Sequence, residues 1–374
     1  MPLSPEPLFT PFVSPKLQLK NRIVMAPMTR LRSPDGVPGQ DVADYYRRRS
    51  ENDVGLVITE GTVVNHPAAN GYPGVPYFHG EKSLAGWQNV VKAVHGAGGK
   101  IMPQLWHVGS VRRPGIPPDP SVPGYSPSGL AKPGGKVVCH EMTKDDIRAT
   151  VQAFADAARA AKDIGMDGIE LHGAHGYLID QFFWEATNQR SDEYGGSLVN
   201  RTRFAVEVIE AVRKAVGDDF PLVLRWSQWK QQDYTAKLAA TPEELAQFLK
   251  PLNDAGVDIF HCSMRRYYKP EFDGSSLNSS LNLAGWTKQI TGKPTIAVGS
   301  VGLDTDYLLT VMPGSAAPHA SGIDPLLERF NAGEFDLVAV GRALLADPAW
   351  ARKIREGRGN EVQVYTKESE AHYF

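Results

Sequence analysis

Cysteine is nearly missing from this sequence of 374 residues, where Cys139 and Cys262 stand alone. Two thiols build neither a disulfide framework, a four-thiolate zinc site nor an iron–sulfur cluster, so redox chemistry on this chain requires an organic cofactor. Long apolar runs are missing as well, and nothing approaches the roughly 18 uninterrupted apolar residues of a transmembrane helix. The N-terminal stretch "MPLSPEPLFTPFVSP" carries neither a basic region followed by an apolar segment nor an Arg-rich amphipathic pattern, so a cytoplasmic location is expected. Charge of one sign is equally scarce. The sequence has 40 Lys and Arg, 42 Asp and Glu and a formal net charge of −2, with no block of like charge, which argues against nucleic acid and anionic membrane as partners. The remaining composition, 42% hydrophobic and 22% charged, is that of an ordinary folded protein large enough to bury a substantial core.

Short β-branched runs recur along the chain with helical spacing between them. They are "NRIVMAP" (21–27), "VGLVITEG" (54–61), "KIMPQLWH" (100–107), "DGIELHG" (167–173), "PLVLRWS" (221–227), "DIFHCS" (258–263), "PTIAVGS" (294–300) and "LVAVGR" (337–342). Between two of them, "TKDDIRATVQAFADAARAAKDIG" (143–165) reads as a helix with Thr143 as N-cap, Asp146 three residues on and Gly165 as the stop. Eight apolar strands alternating with helices imply parallel pairing, and the count and regular spacing favour a (β/α)8 TIM barrel over a doubly wound sheet. The expected architecture is a single α/β domain over residues 1–374, with an N-terminal hairpin in 8–21 across the barrel bottom. Two connections, a proline-rich one at 111–136 after strand three and another at 264–282 after strand six, are too long for turns. Both leave C-terminal strand ends, where barrel active sites are built.

The strand ends hold an unusual polar set: Thr29, Gly61, Gln104, His172 with His175, Arg225, Gly299 with Ser300, and Gly341 with Arg342. In an apolar barrel such groups cost free energy unless they meet a polar ligand or one another. The last two strands end in "VGSVG" and "VGRALL"; backbone N–H groups there, with Arg342 beside them, suit a phosphate. Gln104 can pair with an imide edge, and Arg225 can stabilise negative charge on a ring. A flavin is one of several phosphorylated ligands that fit this description. The run "HGAGGK" (95–100) precedes a strand and opens no helix, so it is no dinucleotide fingerprint. In "HGAHGY" (172–177) a zinc site would need a third protein ligand, and none is evident at the same mouth, so no metal is expected. Proton handling and mutually satisfied buried histidines both remain open at this level.

The stretches "NRIVMAPMTRLRS", "LVITEGT", "QLWHVG", "GIELHGAHGYLIDQF", "TNQRSDEYGGSLVNRTRFAVEVIEAVR", "VGSVG" and "VAVGRALLADP" together resemble the Old Yellow Enzyme family of flavin-dependent ene-reductases, from about residue 8 to about 350. The resemblance implies non-covalent FMN at the barrel mouth. Pro27, Met28 and Thr29 would lie along its ring and Gly61 would approach it. Gln104 and Arg225 would hold the pyrimidine side, His172 would adjoin, and Gly299, Ser300, Val301, Gly302, Gly341 and Arg342 would take the phosphate. It implies that His172 and His175 hold the carbonyl or nitro oxygen of an activated alkene, and that Tyr177 donates a proton to its α-carbon. A phenol with an ordinary pKa near 10 is protonated at neutral pH and serves as a general acid. NADPH or NADH would be the reductant. Tyr72 and Trp106 are expected on the substrate side, although barrel packing accounts equally well for Trp106. Arg265, Arg266 and Lys269 could meet the extra phosphate of NADPH on charge grounds alone, whereas a solvated loop is the simpler reading of the same charges. The chain departs from the family at "QLWHVGS", with arginines only at 112 and 113, at "RWSQWKQQDY" in strand five, where Trp226, Gln228 and Trp229 are candidates to alter the cofactor's surroundings, and at the tail "VYTKESEAHYF". Rival readings are a barrel lyase or isomerase acting on a sugar phosphate, which would need a lysine or paired carboxylates at the strand ends, and a flavin-binding protein without turnover.

Overall fold

The computed structural model describes residues 3–272, 280–305, 319–320 and 322–374. Eight parallel strands close into a barrel: β1 (Ile23–Met25), β2 (Leu56–Val63), β3 (Lys100–Trp106), β4 (Ile169–His175), β5 (Leu222–Lys230), β6 (Ile259–Ser263), β7 (Thr295–Val298) and β8 (Leu337–Val340). Each of the eight apolar runs supplies one strand. Closure comes from β8 pairing with β1, with Val338 opposite Ile23 and Val340 opposite Met25.

Strand alternation divides the side chains into an inner and an outer set. Inside, Val24, Leu56, Ile58, Met102, Val223, Ile259, Ile296 and Leu337 form one cluster with Phe12, Leu17 and Leu19. Those last three belong to the hairpin of Phe12–Val13 with Gln18–Leu19, which plugs the N-terminal end of the barrel. Outside, the strands pack against amphipathic helices. The helix Lys144–Asp163 shows how its local sequence acts: Thr143 Oγ1 accepts from Asp146 N, and Asp146 Oδ2 accepts from Thr143 N at 2.8 Å, closing a capping box. Its apolar stripe, including Ile147, Phe154 and Ala158, is fully buried, and burying a side chain such as Phe154 contributes about 1.5–3 kcal/mol. Gly165, just past the end, has φ 88°, which a side chain would oppose.

Two irregularities sit at the C-terminal strand ends. The β2–β3 register shifts between Ile58 and Gly61, and the β4–β5 register shifts between Gly173 and His175, so that His175, at φ 65°, pairs with Lys230. Bulges of this kind re-aim side chains, and both lie beside the same cavity. The proline-rich connection is gathered around Arg112, which is 2% exposed and donates to the carbonyls of Asn70, Ile116, Asp119 and Val122. That arginine is therefore committed to the loop itself. Residues 273–279 of the connection after β6 lie outside the described residues. No helix among the described residues is long and apolar enough to cross a membrane.

Candidate active site

A cavity of about 630 Å³ opens at the C-terminal end of the barrel. Pro27, Met28, Thr29, Gly61, Gln104, Trp106, His172, His175, Tyr177, Arg225, Gly299, Ser300, Val301, Gly341 and Arg342 all line it. Two of the expected residues stand back. Gly302, at φ 73°, makes a turn whose missing side chain would face Trp350, with an added Cβ 3.2 Å from its Nε1. Tyr72 reaches the cavity only through its neighbours, stacking on Trp106 at 5.6 Å and placing its hydroxyl 3.4 Å from that of Tyr177. Gly61 has a packing reason of its own, since an added Cβ would lie 2.2 Å from the Trp106 indole.

The cavity floor is a buried polar network. Glu170 Oε1 accepts from Gln104 Nε2 at 2.8 Å, and Glu170 Oε2 lies 2.6 Å from His261 Nδ1. Burial pulls the His261 imidazole below its ordinary pKa, with Glu170 opposing, so the neutral ring donates its Nδ1–H to that carboxylate. Arg225, 7% exposed, is lowered chiefly by burial, with the Glu170 charge opposing. Its Nε is buried and has no hydrogen-bond partner among the described residues. Glu170 and His261 were not anticipated as site residues. The signal was present in strand parity: if His172 points inward, so does Glu170, two positions earlier.

From Arg225 a chain of hydrogen bonds leads to the histidine pair. Arg225 Nη2 donates to Ser263 Oγ at 3.4 Å, and Ser263 Oγ lies 2.7 Å from His175 Nε2. Where the Ser263 hydroxyl gives its own proton to Nε2, the N–H left to His175 is Nδ1–H. His172 Nδ1 accepts from Ala174 N at 3.4 Å, which places its proton on Nε2. Burial, aided by the Arg225 charge, holds both imidazoles well below their ordinary pKa, and each therefore offers one N–H without carrying charge. Their rings stand at 90° with centroids 5.2 Å apart. Tyr177, 6% exposed, meets His172 edge-on at 4.9 Å and Trp106 at 4.8 Å.

The opposite side suits an anion. Gly299 at φ 148° and Ser300 at φ 55° turn the backbone after β7. Ser300 is held in this left-handed conformation by its hydroxyl, which donates to the Arg265 and Thr305 carbonyls at 2.9 and 3.1 Å. Gly341 lines the cavity in open space, where an added Cβ would meet only Met28 Sδ at 3.7 Å and Ala26 Cβ at 3.9 Å. Arg342 lies over the Tyr365 ring at 5.6 Å.

The rest of the wall is drawn from the β5 extension, the C-terminal tail and the loop after β6. Trp229, Gln231 and Tyr234 reach the cavity from the lengthened β5 and the turn after it, whereas Trp226 and Gln228 face away. Trp226 packs on Phe248 at 5.2 Å, and Gln228 Nε2 donates to Ala239 O at 2.8 Å. Tyr365 and Glu370 arrive from the tail, whose carbonyls at Glu370 and His372 accept from Arg30 at 2.9 and 2.7 Å. Glu60 fixes the segment after β1 by accepting from Arg30 N at 2.8 Å and Leu31 N at 3.3 Å, while burial pushes its carboxyl up to about 7. Arg265 lines the main cavity, and Arg266 and Lys269 line an adjoining one of about 330 Å³.

Known proteins bear out the family resemblance. The chain is 36% identical over 355 residues to an NADH oxidase of Thermoanaerobacter brockii, covering 93% of this chain and 50% of that one. It is 42% identical over 224 residues to 12-oxophytodienoate reductase 7 of Oryza sativa subsp. japonica, covering 57% of this chain and 56% of the relative. It thus spans about half the length of these curated relatives. Among solved structures, morphinone reductase in complex with tetrahydroNAD superposes with a TM-score of 0.79 at 29% identity, over 97% of this chain and 93% of that one. The family model matches residues 7–317, and the chain belongs to the NADH:flavin oxidoreductase / NADH oxidase family, the grouping to which its Old Yellow Enzyme resemblance points.

Proposed function

We propose that this protein is an FMN-dependent ene-reductase in which NADPH or NADH is the reductant and an α,β-unsaturated carbonyl or nitro compound is the substrate. One observation carries the reading: a single cavity joins an anion-suited turn at β7 and β8 to a polar floor at Gln104 and Arg225 and to two neutral histidines beside a tyrosine. The residues present fit FMN. Arg225 has a buried Nε without a partner among the described residues, Gly341 leaves room that a Cβ would occupy, and 630 Å³ lies within the usual range of ligand cavities. Gly299, Ser300, Val301, Gly341 and Arg342 would hold the phosphate, and Gln104 and Arg225 the polar edge of the ring. Relatives named for reducing 12-oxophytodienoate and morphinone support an activated alkene as substrate.

The chemistry that bound FMN supplies is hydride, gained from a nicotinamide and delivered to the β-carbon of the alkene. The chain's own residues do the rest. His172 Nε2–H and the remaining N–H of His175 grip the substrate oxygen and stabilise the negative charge that develops there. Tyr177 gives its phenolic proton to the α-carbon. Trp106, stacked on Tyr72 and edge-on to Tyr177, keeps that phenol in place and water away. Arg265, with Arg266 and Lys269 in the adjoining cavity, is the set proposed to meet the extra phosphate of NADPH.

Replacing Tyr177 by Phe tests the reading. Alkene reduction, followed by stopped flow with 2-cyclohexenone or maleimide, should slow by about 10²–10⁴-fold while cofactor reduction by NADPH is unchanged. Equal slowing of both half-reactions, or a purified protein that stays colourless after FMN is added, would sink it.

A further inference from the structure

We propose that Gln231 is a positioning residue for proton donation by Tyr177, an inference that rests on the function proposed above. Gln231 stands at the cavity rim, one residue beyond the end of β5, and its Nε2 donates to the Tyr177 hydroxyl oxygen at 3.0 Å. The bond occupies a lone pair of that oxygen and so turns the phenol's own O–H elsewhere. When the proton leaves, the O–H bond of Tyr177 breaks, a C–H bond forms at the α-carbon, and the phenolate keeps the electron pair. A hydrogen bond to an ionised oxygen is stronger than one to a neutral oxygen, so the amide favours the product of the step over its reactant.

The extension of β5 is built to hold this amide in register. Gln231 N donates to His175 O at 3.3 Å, and Ser227 Oγ accepts from His175 N at 3.0 Å. Gln232 Nε2 donates to Gly176 O at 3.3 Å, and Gly176 N donates in turn to Asp180 Oδ2 at 2.7 Å. Asp180 is locked to Lys230, with Nζ 2.6 Å from Oδ1 and both side chains fully buried. The segment that departs from the family pattern is thus tied at both backbone and side chain to the segment carrying Tyr177. Titratable or charged groups that face Tyr177 among the described residues include Tyr72 from the loop after β2, His172 from β4 and Arg225 from β5. Of these, Tyr72 places its hydroxyl 3.4 Å from the Tyr177 oxygen.

The test compares Gln231→Leu and Gln231→Glu with the unaltered protein and with Tyr177→Phe. In Gln231→Leu the alkene half-reaction should slow by about fivefold to tenfold while cofactor reduction by NADPH is unchanged. A phenol without the donor ionises at higher pH, so the alkaline limb of that half-reaction should move up by as much as about one pH unit. Titration of Tyr177 by NMR on isotope-labelled tyrosine in the cofactor-free protein, with Tyr177→Phe assigning the resonance, should move the same way. Gln231→Glu should slow the step further, because a carboxylate accepts the phenolic proton instead of supporting its loss. An unmoved alkaline limb and an unmoved Tyr177 titration in Gln231→Leu would overturn the role of Gln231 alone. Full alkene reduction in Tyr177→Phe would overturn both this inference and the function beneath it.

Discussion

Replacing Lys230 by Met exposes the weakest point of the brace beside the active site. The Lys230 ammonium and the Asp180 carboxylate are 2.6 Å apart with no solvent exposure of either side chain. Met keeps the volume of the stem but leaves a buried carboxylate whose remaining partner among the described residues is the Gly176 N–H at 2.7 Å. Breaking such a pair on one side costs about 3–5 kcal/mol. At about 2.1 cal/mol/K per residue, a chain of 374 residues has an unfolding entropy of about 0.8 kcal/mol/K, so Tm should fall by about 4–6 °C. The double replacement Lys230→Met with Asp180→Leu removes both charges and should recover most of that loss. The deficit should also depend on pH. Burial already pushes Asp180 up to about 6 from an ordinary 3.8, against the pull of Lys230, and without Lys230 it rises further. A carboxyl raised in the folded state favours folding at low pH and loses that contribution as pH rises through its folded pKa. The deficit should therefore be largest near about pH 8 and shrink towards about pH 5. Thermal unfolding followed by circular dichroism measures all of this. A single variant within about 1 °C of the parent, or a double variant as unstable as the single, would refute the reasoning.

Two further outcomes follow from the cavity. Because burial keeps His172 and His175 uncharged, the KM for an activated alkene should be flat from about pH 5.5 to about pH 8; a break near about 6.5, the ordinary imidazole value, would contradict this. Arg225→Met should weaken FMN binding by about thirtyfold or more, since truncating one side of a buried charge-assisted contact costs at least about 2 kcal/mol; unchanged affinity in a flavin fluorescence titration would remove Arg225 from the cofactor site.

The barrel was legible because its signal is local and repeated. Each strand announced itself as an apolar run, and the Thr143 cap and Gly165 stop lay within a residue or two of the ends of the helix Lys144–Asp163. The strand-end residues were legible for the same reason, since position in a strand fixes position at the mouth. Glu170 and His261 were missed because inward polar residues hide inside near-continuous apolar strands, where parity and not composition reveals them. Tyr365 and Glu370 could not be read at all. Their approach to the cavity depends on Arg30 meeting the Glu370 carbonyl across 340 residues of chain, and no local pattern encodes such a meeting. Of the three β5 candidates, Trp229 lines the cavity while Trp226 and Gln228 face away from it, as alternation from the inward Arg225 dictates.

The length of β5 also limits how this protein can vary by descent. Along the extension, Trp229 and Gln231 face the cavity, while Gln228 and Lys230 are spent on Ala239 and Asp180 behind it. Loss or gain of one codon in this stretch would exchange the two faces, taking the indole and the amide out of the cavity and turning an ammonium towards it. Substitutions can therefore retune this wall one side chain at a time, whereas a single-residue insertion or deletion would dismantle the wall and its brace together.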